Sequence, residues 1–490
     1  MNRQIRRLGV ALLVCFSALF AQLNYIQVLR ADKLNDDPRN SRKVVSTFSR
    51  PRGNIVSADG VVLARSTASR DQFKYQREYP ERDLFAHVTG YLNFSFGATG
   101  LEQTYGDELA GRTAEIDLST MSDLFVDRDR VGNVAITIRK DVQEAARAAL
   151  GERAGSVVAL DPKTGAILAL WSTPSFDPNS LAVHDQGAGT AKAMLEAAPG
   201  KPLLPKAYRE TFFPGSTFKV VTASAGLESG RVTLDQPVYP PATDYDIDFT
   251  DNELDNFGGE RCGGPLPEIL RVSCNSGFAA MGADTIGALG MLAGAEKFGF
   301  NARPPVDLPA AAVSRFPTEF PQNQGNGPIA RAAIGQGDVS ATPLQMALVA
   351  AAVANNGTIM APHLLDKVTD EQGRVLTSYT PRVWRTPLSP QNAGAMRGAM
   401  IGVVQQGTAQ RLAIPGFEVG GKTGTAQLGT TPPQSHTWII GFAGPPGDAK
   451  VAVAVIVERQ PGASEATGGR IAAPIAQAVM TKILSPRPGG

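Results

Sequence analysis

One helix carries a lysine into apolar surroundings. The stretch Phe213-Pro214-Gly215-Ser216-Thr217-Phe218-Lys219-Val220-Val221 continues as Thr222-Ala223-Ser224-Ala225-Gly226-Leu227. Pro214 and Gly215 suit the start of a helix, and the residues after Lys219 are apolar enough for that helix to be buried. Ser216 and Lys219, three apart, share one face, with about 5–6 Å between their Cβ atoms. Ser216 falls in the first turn, where unpaired backbone N–H groups and the helix dipole favour developing negative charge. Lys219 lies one turn deeper, where burial disfavours the ammonium form. A neutral amine beside a hydroxyl makes an activated nucleophile without any histidine. Ser-x-x-Lys alone recurs by chance on the order of once or twice in a chain this long, so the reading needs support elsewhere.

The 490 residues leave room for roughly two to four domains. Basic and acidic residues number 47 and 46, which removes any electrostatic case for nucleic-acid binding. His87, His184, His363 and His436 are scattered singly and give no metal-ligand spacing, so neither metal nor cofactor is expected. Leu8 to Leu29 is a nearly uninterrupted apolar run. At about 1.5 Å per residue it can cross a bilayer core of roughly 30 Å. The rival is a cleaved signal peptide, but the run is long for one and Leu19 spoils a small-x-small cleavage site before Gln22. Arg3, Arg6 and Arg7 favour an inside N-terminus, against Arg30, Lys33 and Arg39 on the far side. The expectation is a short cytoplasmic tail (1–7) and an uncleaved transmembrane anchor (8–29).

Residues 30–153 read as a smaller mixed domain without catalytic features. Pro51–Val56 and Val61–Ala64 flank an Asp59-Gly60 turn, a hairpin pattern, and Gly100–Tyr105 reads as a short helix. Val142, Ala145, Ala146, Ala149 and Leu150 define one face of an amphipathic helix. Beyond a boundary near 154, Ser156–Leu160 and Ala166–Leu170 flank Asp161-Pro162-Lys163-Thr164-Gly165 as a hairpin buried on both faces. Thr342-Pro343-Leu344-Gln345 is a capping box opening a core helix that Asn356-Gly357 ends. Trp438–Phe442 and Val451–Val457 form a second hairpin, and a last helix presents Ala472, Ile475, Ala476, Val479, Met480 and Ile483 before Pro486. Residues 486–490 read as a disordered tail.

Two further tripeptides follow Ser216-x-x-Lys219: Ser273-Cys274-Asn275, and Lys422-Thr423-Gly424 within Gly420-Gly421-Lys422-Thr423-Gly424-Thr425-Ala426. The glycines of the latter suit a strand that a ligand or another backbone approaches closely. Each tripeptide is weak alone. Ser-x-x-Lys, Ser-x-Asn and Lys-Thr-Gly in that order are the signature set of penicillin-binding proteins and class A β-lactamases. The chain resembles the class B penicillin-binding proteins, in particular their actinobacterial A type. Arg52-Gly53-Asn54-Ile55, Asp59-Gly60 and Gly100-Leu101-Glu102 with Tyr105 resemble the family's pedestal. Asp161–Ala169, Ile334-Gly335-Gln336-Gly337, Thr342–Ala347 and His436-Thr437-Trp438 with Gly441-Phe442 resemble its catalytic domain.

The resemblance implies an α/β serine-acyltransferase (β-lactamase-like) domain over 154–485, an antiparallel sheet with helices on both sides, behind a pedestal and one membrane helix. It implies a peptidoglycan D,D-transpeptidase acting on stem peptides and inhibited covalently by penicillins and other β-lactams. Ser216 is then the nucleophile and Lys219 its base. Ser273 relays a proton to the leaving amine, and Asn275 hydrogen-bonds Lys219 or the substrate. Lys422, Thr423, Gly424 and Thr425 hold the substrate carboxylate, and the N–H groups of Ser216 and Thr425 form the oxyanion hole. Lys422, as a nearby cation, would depress the pKa of Lys219. No segment before 154 has the size of a glycosyltransferase domain, so the resemblance implies a SEDS-family glycosyltransferase as membrane partner.

Alternatives are a D,D-carboxypeptidase or β-lactamase, which differ in whether water deacylates Ser216, and a membrane β-lactam sensor. Glu319-Phe320-Pro321-Gln322-Asn323 has the Glu-x-x-x-Asn form that class A β-lactamases use, yet reads as a surface loop. Cys15 lies in the membrane run, leaving Cys262 and Cys274 either bridged in an oxidising compartment or as a free thiol and a buried one. Arg261–Pro265 reads as a turn that brings the pair together around a helix over Leu266–Arg271.

Overall fold

The computed structural model describes residues 2–26, 48–113, 131–248, 253–461 and 468–486. The end of the apolar run (27–29) and the tail beyond Pro486 lie outside them, as do 30–47. The chain divides into two compact units, one of residues 1–51 with 67–76, the other of 52–66 with 77–490.

In the first unit the dominant element is the helix Asn2–Asn24. Its leucines, valines and phenylalanines are exposed along its length, and Arg3–Asn24 is long and apolar enough to cross a membrane. Such a surface is what a lipid-facing helix presents, and it fits single-pass anchoring. In the 67–76 segment Phe73 packs against Phe48, with ring centroids 5.7 Å apart.

The second unit is built on a five-stranded sheet: β1 (Gly155–Leu160), β2 (Ile167–Thr173), β3 (Glu418–Gln427), β4 (Gln434–Gly444) and β5 (Val451–Pro461). Their spatial order is β3-β4-β5-β1-β2, each neighbour antiparallel. Two segments far apart in sequence, 155–173 and 418–461, thus supply the sheet, and the long helical insertion between β2 and β3 carries most of the site. Val451–Val457 is fully buried at every position, which requires layers on both faces. Its helices include α1 (Lys140–Leu150), α2 (Lys219–Glu228), α3 (Asn275–Ala280), α4 (Gly287–Lys297), α5 (Pro343–Ala354), α6 (Pro390–Gln406) and α7 (Ala473–Leu484). α7 packs on β4, β5 and α1, while α5 packs on β4, β5 and β1 from the other face, with α6 beside it along β3.

Every residue of α5 is buried, as its run of Ala, Leu and Val demands. Only half of the expected capping box forms. Thr342 Oγ1 accepts from Gln345 N at 3.1 Å, but Gln345 turns its amide away to donate to the carbonyl of Phe298 at 2.7 Å. Buried on all sides, Gln345 serves a neighbouring segment, and Thr342 N finds Ser314 Oγ instead.

The pedestal part of this unit holds strands of a second sheet, among them, in spatial order, Val375–Ser378, Leu365–Thr369, Asn133–Ile136, Ile55–Val56 and Val62–Ala68. Two of these strands come from well beyond residue 154. Behind the sheet Glu102 is fully buried between Arg77 (Nε to Oε1, 2.5 Å) and Arg52 (Nε to Oε2, 3.2 Å). Burial alone would raise its carboxyl, yet the two guanidinium groups hold it below the ordinary range.

Candidate active site

Ser216 lies in a 3-10 turn, Gly215–Phe218, that runs directly into α2. Gly215 is obligatory here. Its φ is +53°, and a Cβ would stand 2.6 Å from the carbonyl oxygen of Thr425 on β3. The turn is fixed from three sides. Gly215 N donates to Gly335 O (2.9 Å), Thr217 Oγ1 donates to Pro214 O (2.7 Å), and Phe218 stacks on Phe316 with centroids 5.5 Å apart. All residues from Lys219 to Leu227 are buried.

Lys219 is fully buried, over the ring of Phe278. Its Nζ donates to the Ser273 carbonyl at 2.6 Å, to Asn275 Oδ1 at 2.6 Å and to Ser273 Oγ at 3.3 Å. Lys422, equally buried, donates to the same Ser273 Oγ at 2.9 Å and to Thr423 O at 2.9 Å. Ser273 Oγ therefore accepts from two amines, and its own proton is left to point elsewhere. Ser273 sits at φ +63°, a costly conformation for a serine that the flanking elements impose. It closes the helix Leu266–Arg271, while Asn275 opens α3.

Lys422 reaches this cluster from the edge strand β3, whose glycines let it pack closely. A Cβ on Gly424 would stand 2.9 Å from Thr217 Cγ2, and one on Gly420 2.3 Å from the Phe442 ring. The two threonines beside Gly424 differ. Thr425 lines the cleft, and its buried Oγ1 has no hydrogen-bond partner among the described residues. Thr423 Oγ1 lies 2.6 Å from Thr408 Oγ1, a partner the sequence did not reveal.

A cleft of about 680 Å³ opens over Ser216, Asn275 and Thr425, walled by Leu254–Gly259 and by Arg331. Glu319 and Asn323 are exposed and do not line it. Among the described residues one acidic group, Asp244, Asp246 and Glu253, has its oxygens close enough to share a cation, at the surface and without further support. Cys262 and Cys274 are bonded, Cα atoms 5.8 Å apart. The expected turn before Leu266 is instead a short strand, Cys262–Gly264, paired with Tyr239–Ala242. Glycines at 263 and 264 allow that pairing because a Cβ at 263 would meet the backbone of Pro240 at 2.7 Å. The bridge thus ties the residue between Ser273 and Asn275 to this small ribbon.

A buried serine at a helix start, a second serine shared between two buried amines and a close-packed Lys-Thr-Gly edge strand on a five-stranded antiparallel sheet make an arrangement suited to acyl transfer. The chain belongs to the penicillin-binding protein transpeptidase family: residues 155–481 match the model of the penicillin binding protein transpeptidase domain, and 52–134 that of the penicillin binding protein A dimerisation domain. It is 40% identical to the peptidoglycan D,D-transpeptidase PbpA of Mycolicibacterium smegmatis over 99% of both chains, and 36% identical to PbpA of Mycobacterium tuberculosis over the whole of both. Its fold is similar to the imipenem acyl-enzyme of M. tuberculosis penicillin-binding protein A, with a TM-score of 0.81 and 36% identity, covering 90% of this chain and all of that one. The penicillin G acyl-enzyme of the same protein matches at 0.79 and 35%, over 89% of this chain and 99% of that one.

Proposed function

We propose that this chain is a peptidoglycan D,D-transpeptidase that cross-links stem peptides through an acyl-enzyme on Ser216. The observation that carries the mechanism is Ser273 Oγ held between Lys219 and Lys422. Lys219 takes the Ser216 proton as Oγ attacks the carbonyl between the last two D-alanines. Backbone N–H groups of Ser216 and Thr425 hold the oxyanion, and the start of α2 adds favourable field. Collapse expels D-alanine, whose amine takes its proton through Ser273. The amine of a second stem peptide then attacks the ester, and Ser216 recovers its proton. Lys422 and the free hydroxyl of Thr425 bind the terminal carboxylate of the donor, with Thr423 and Gly424 keeping the strand in register. Penicillins and other β-lactams acylate the same hydroxyl.

The apolar helix Asn2–Asn24 supports a single-pass anchor with the catalytic domain (154–485) outside the cytoplasm, raised on a pedestal (30–153). Glycan polymerisation comes from a partner, a SEDS-family glycosyltransferase in the same membrane.

Mass spectrometry of the full-length protein after penicillin tests the acyl step. One adduct on the Ser216 peptide is expected, absent from Ser216→Ala, and incubation with stem peptides should give a cross-linked dimer. An adduct elsewhere, or release of D-alanine without dimer, overturns the respective part. Glu319→Ala should leave the lifetime of the penicillin adduct unchanged, because that carboxylate is outside the cleft.

A further inference from the structure

The wall of the cleft nearest the second tripeptide is fastened by a buried side chain. Asn256, 4% exposed, makes hydrogen bonds through its backbone and through both ends of its side-chain amide. Its backbone N–H donates to Thr243 O at 2.8 Å. Its Nδ2 donates to Ala242 O at 2.8 Å and to Ser276 Oγ at 3.0 Å, while its Oδ1 accepts from Ser276 N at 2.9 Å. Asn256 thereby joins the ribbon strand Tyr239–Ala242 to the first turn of α3.

That junction fixes the preceding carbonyl. Asp255 O lies 2.9 Å from Asn275 Nδ2 and accepts from it. A side-chain amide has one donating and one accepting end, so this bond decides which way Asn275 faces. With its NH2 on Asp255 O, its Oδ1 must face Lys219 Nζ, 2.6 Å away. An acceptor there stabilises the ammonium form and makes the amine a stronger base. With the amide reversed, an N–H would face the amine and favour its neutral form. Lys422, through Ser273 Oγ, is a further ionisable group at Lys219, with Glu253, Asp255 and Arg331 further out on the cleft wall.

We infer that Asn256 is a positioning residue that sets the basicity and placement of Lys219 by orienting the Asn275 amide through the Asp255 carbonyl. The inference rests on Ser216 and Lys219 acting as nucleophile and base. Asn256 stands in the cleft wall with its side-chain amide turned to Ala242 O and Ser276, and a clamp that only held the fold would leave the pH dependence of acylation alone.

The test is a double-mutant cycle on the full-length protein, reading the second-order rate of Ser216 labelling by a fluorescent penicillin against pH. Asn256→Ala should lower the plateau about tenfold and move the rising limb to lower pH by roughly half to one unit, because the acceptor facing Lys219 is no longer held. In an Asn275→Ala background the same change should cost less than about twofold, since the two residues act in series. Asn256→Ser, which keeps a hydroxyl in the buried space, goes through the same cycle and decides the matter if the alanine variant fails to fold. Losses that multiply across the cycle, or a limb that stays in place, overturn the inference. Wild-type protein that is not labelled on Ser216 overturns the catalytic reading beneath it, a different result.

Discussion

Trp438 on β4 donates its indole N–H to the carbonyl of Phe213, 3.0 Å away and three residues before Ser216. The indole is fully buried, and it packs edge-on against Phe212 at 6.3 Å. The central sheet thus holds the nucleophile turn through a side chain as well as through Thr425. Trp438→Phe keeps the ring contact and strands the carbonyl, which should cost about 1–3 kcal/mol. If the bond positions Ser216, labelling by penicillin should also slow on the order of tenfold. Calorimetry and labelling rates separate the two. Lost stability with an unchanged rate would confine the bond to the fold.

Two glycines of one loop should respond differently to the same substitution. Gly335 has φ +75°, and a Cβ there would stand 2.2 Å from the carbonyl oxygen of Gly215 and 2.7 Å from Phe218 Cβ. Gly337 has φ +68°, but its Cβ would meet nothing nearer than Arg331 Cβ at 3.6 Å. Gly335→Ala should therefore destabilise by more than about 2 kcal/mol and abolish labelling, because the clash is with the nucleophile turn itself. Gly337→Ala carries only the backbone cost, about 1–2 kcal/mol, and should still be labelled. Equal behaviour of the two would mean the turn yields where the packing says it cannot.

The Cys262–Cys274 bridge makes a countable prediction. Denatured without reductant, the full chain should expose one reactive thiol, Cys15, and three after reduction. Three thiols before reduction would show that the pair is not bridged in the protein as made. Closing a loop of 12 residues should stabilise by about 3 kcal/mol in the chain-entropy picture. Cys262→Ser should slow acylation as well, because Ser273 and Asn275 lose the anchor between them.

What was legible in the sequence was what short-range pattern encodes. The buried helix after Lys219, the two hairpins of the main sheet, α5 and α7 follow from periodicity and turn residues, and the three tripeptides are each contiguous. Long-range pairings were not legible. Leu365–Thr369 and Val375–Ser378 carry no mark that they complete a sheet begun at Ile55. Glu102 between Arg52 and Arg77, and Thr423 against Thr408, join residues whose pairing no local pattern marks. Gln345 departs from the capping box for a related reason: the capping pattern fixes its backbone bond, whereas burial and Phe298 decide its side chain. The φ of Ser273 is likewise set by the helices on either side of it.

Two histidines outside the cleft predict how the protein fails in acid. His87 is buried with its Nε2 at 2.7 Å from the carbonyl of Pro202, and burial holds its pKa down at about 4, with Lys206 adding to the effect. His436 lies under Phe212, its Nδ1 accepting from Arg459 N at 3.2 Å, and burial with the positive charges of Arg459 and Lys206 likewise lowers it to about 4. Unfolded, both return to about 6.5. Between those values the unfolded chain binds protons that the folded one refuses, so stability is full above pH 6.5 and falls as pH drops towards 4. Each group can contribute at most roughly 3 kcal/mol over that window. Glu458, raised by burial against the attraction of Lys206, works the other way, because the folded state takes up its proton first. The readout is therefore a difference between variants. Urea midpoints of the detergent-solubilised protein should fall steeply from pH 6.5 to 4, and more shallowly in His87→Gln with His436→Gln. If the double variant keeps the wild-type slope, these histidines are not what the folded state refuses to protonate.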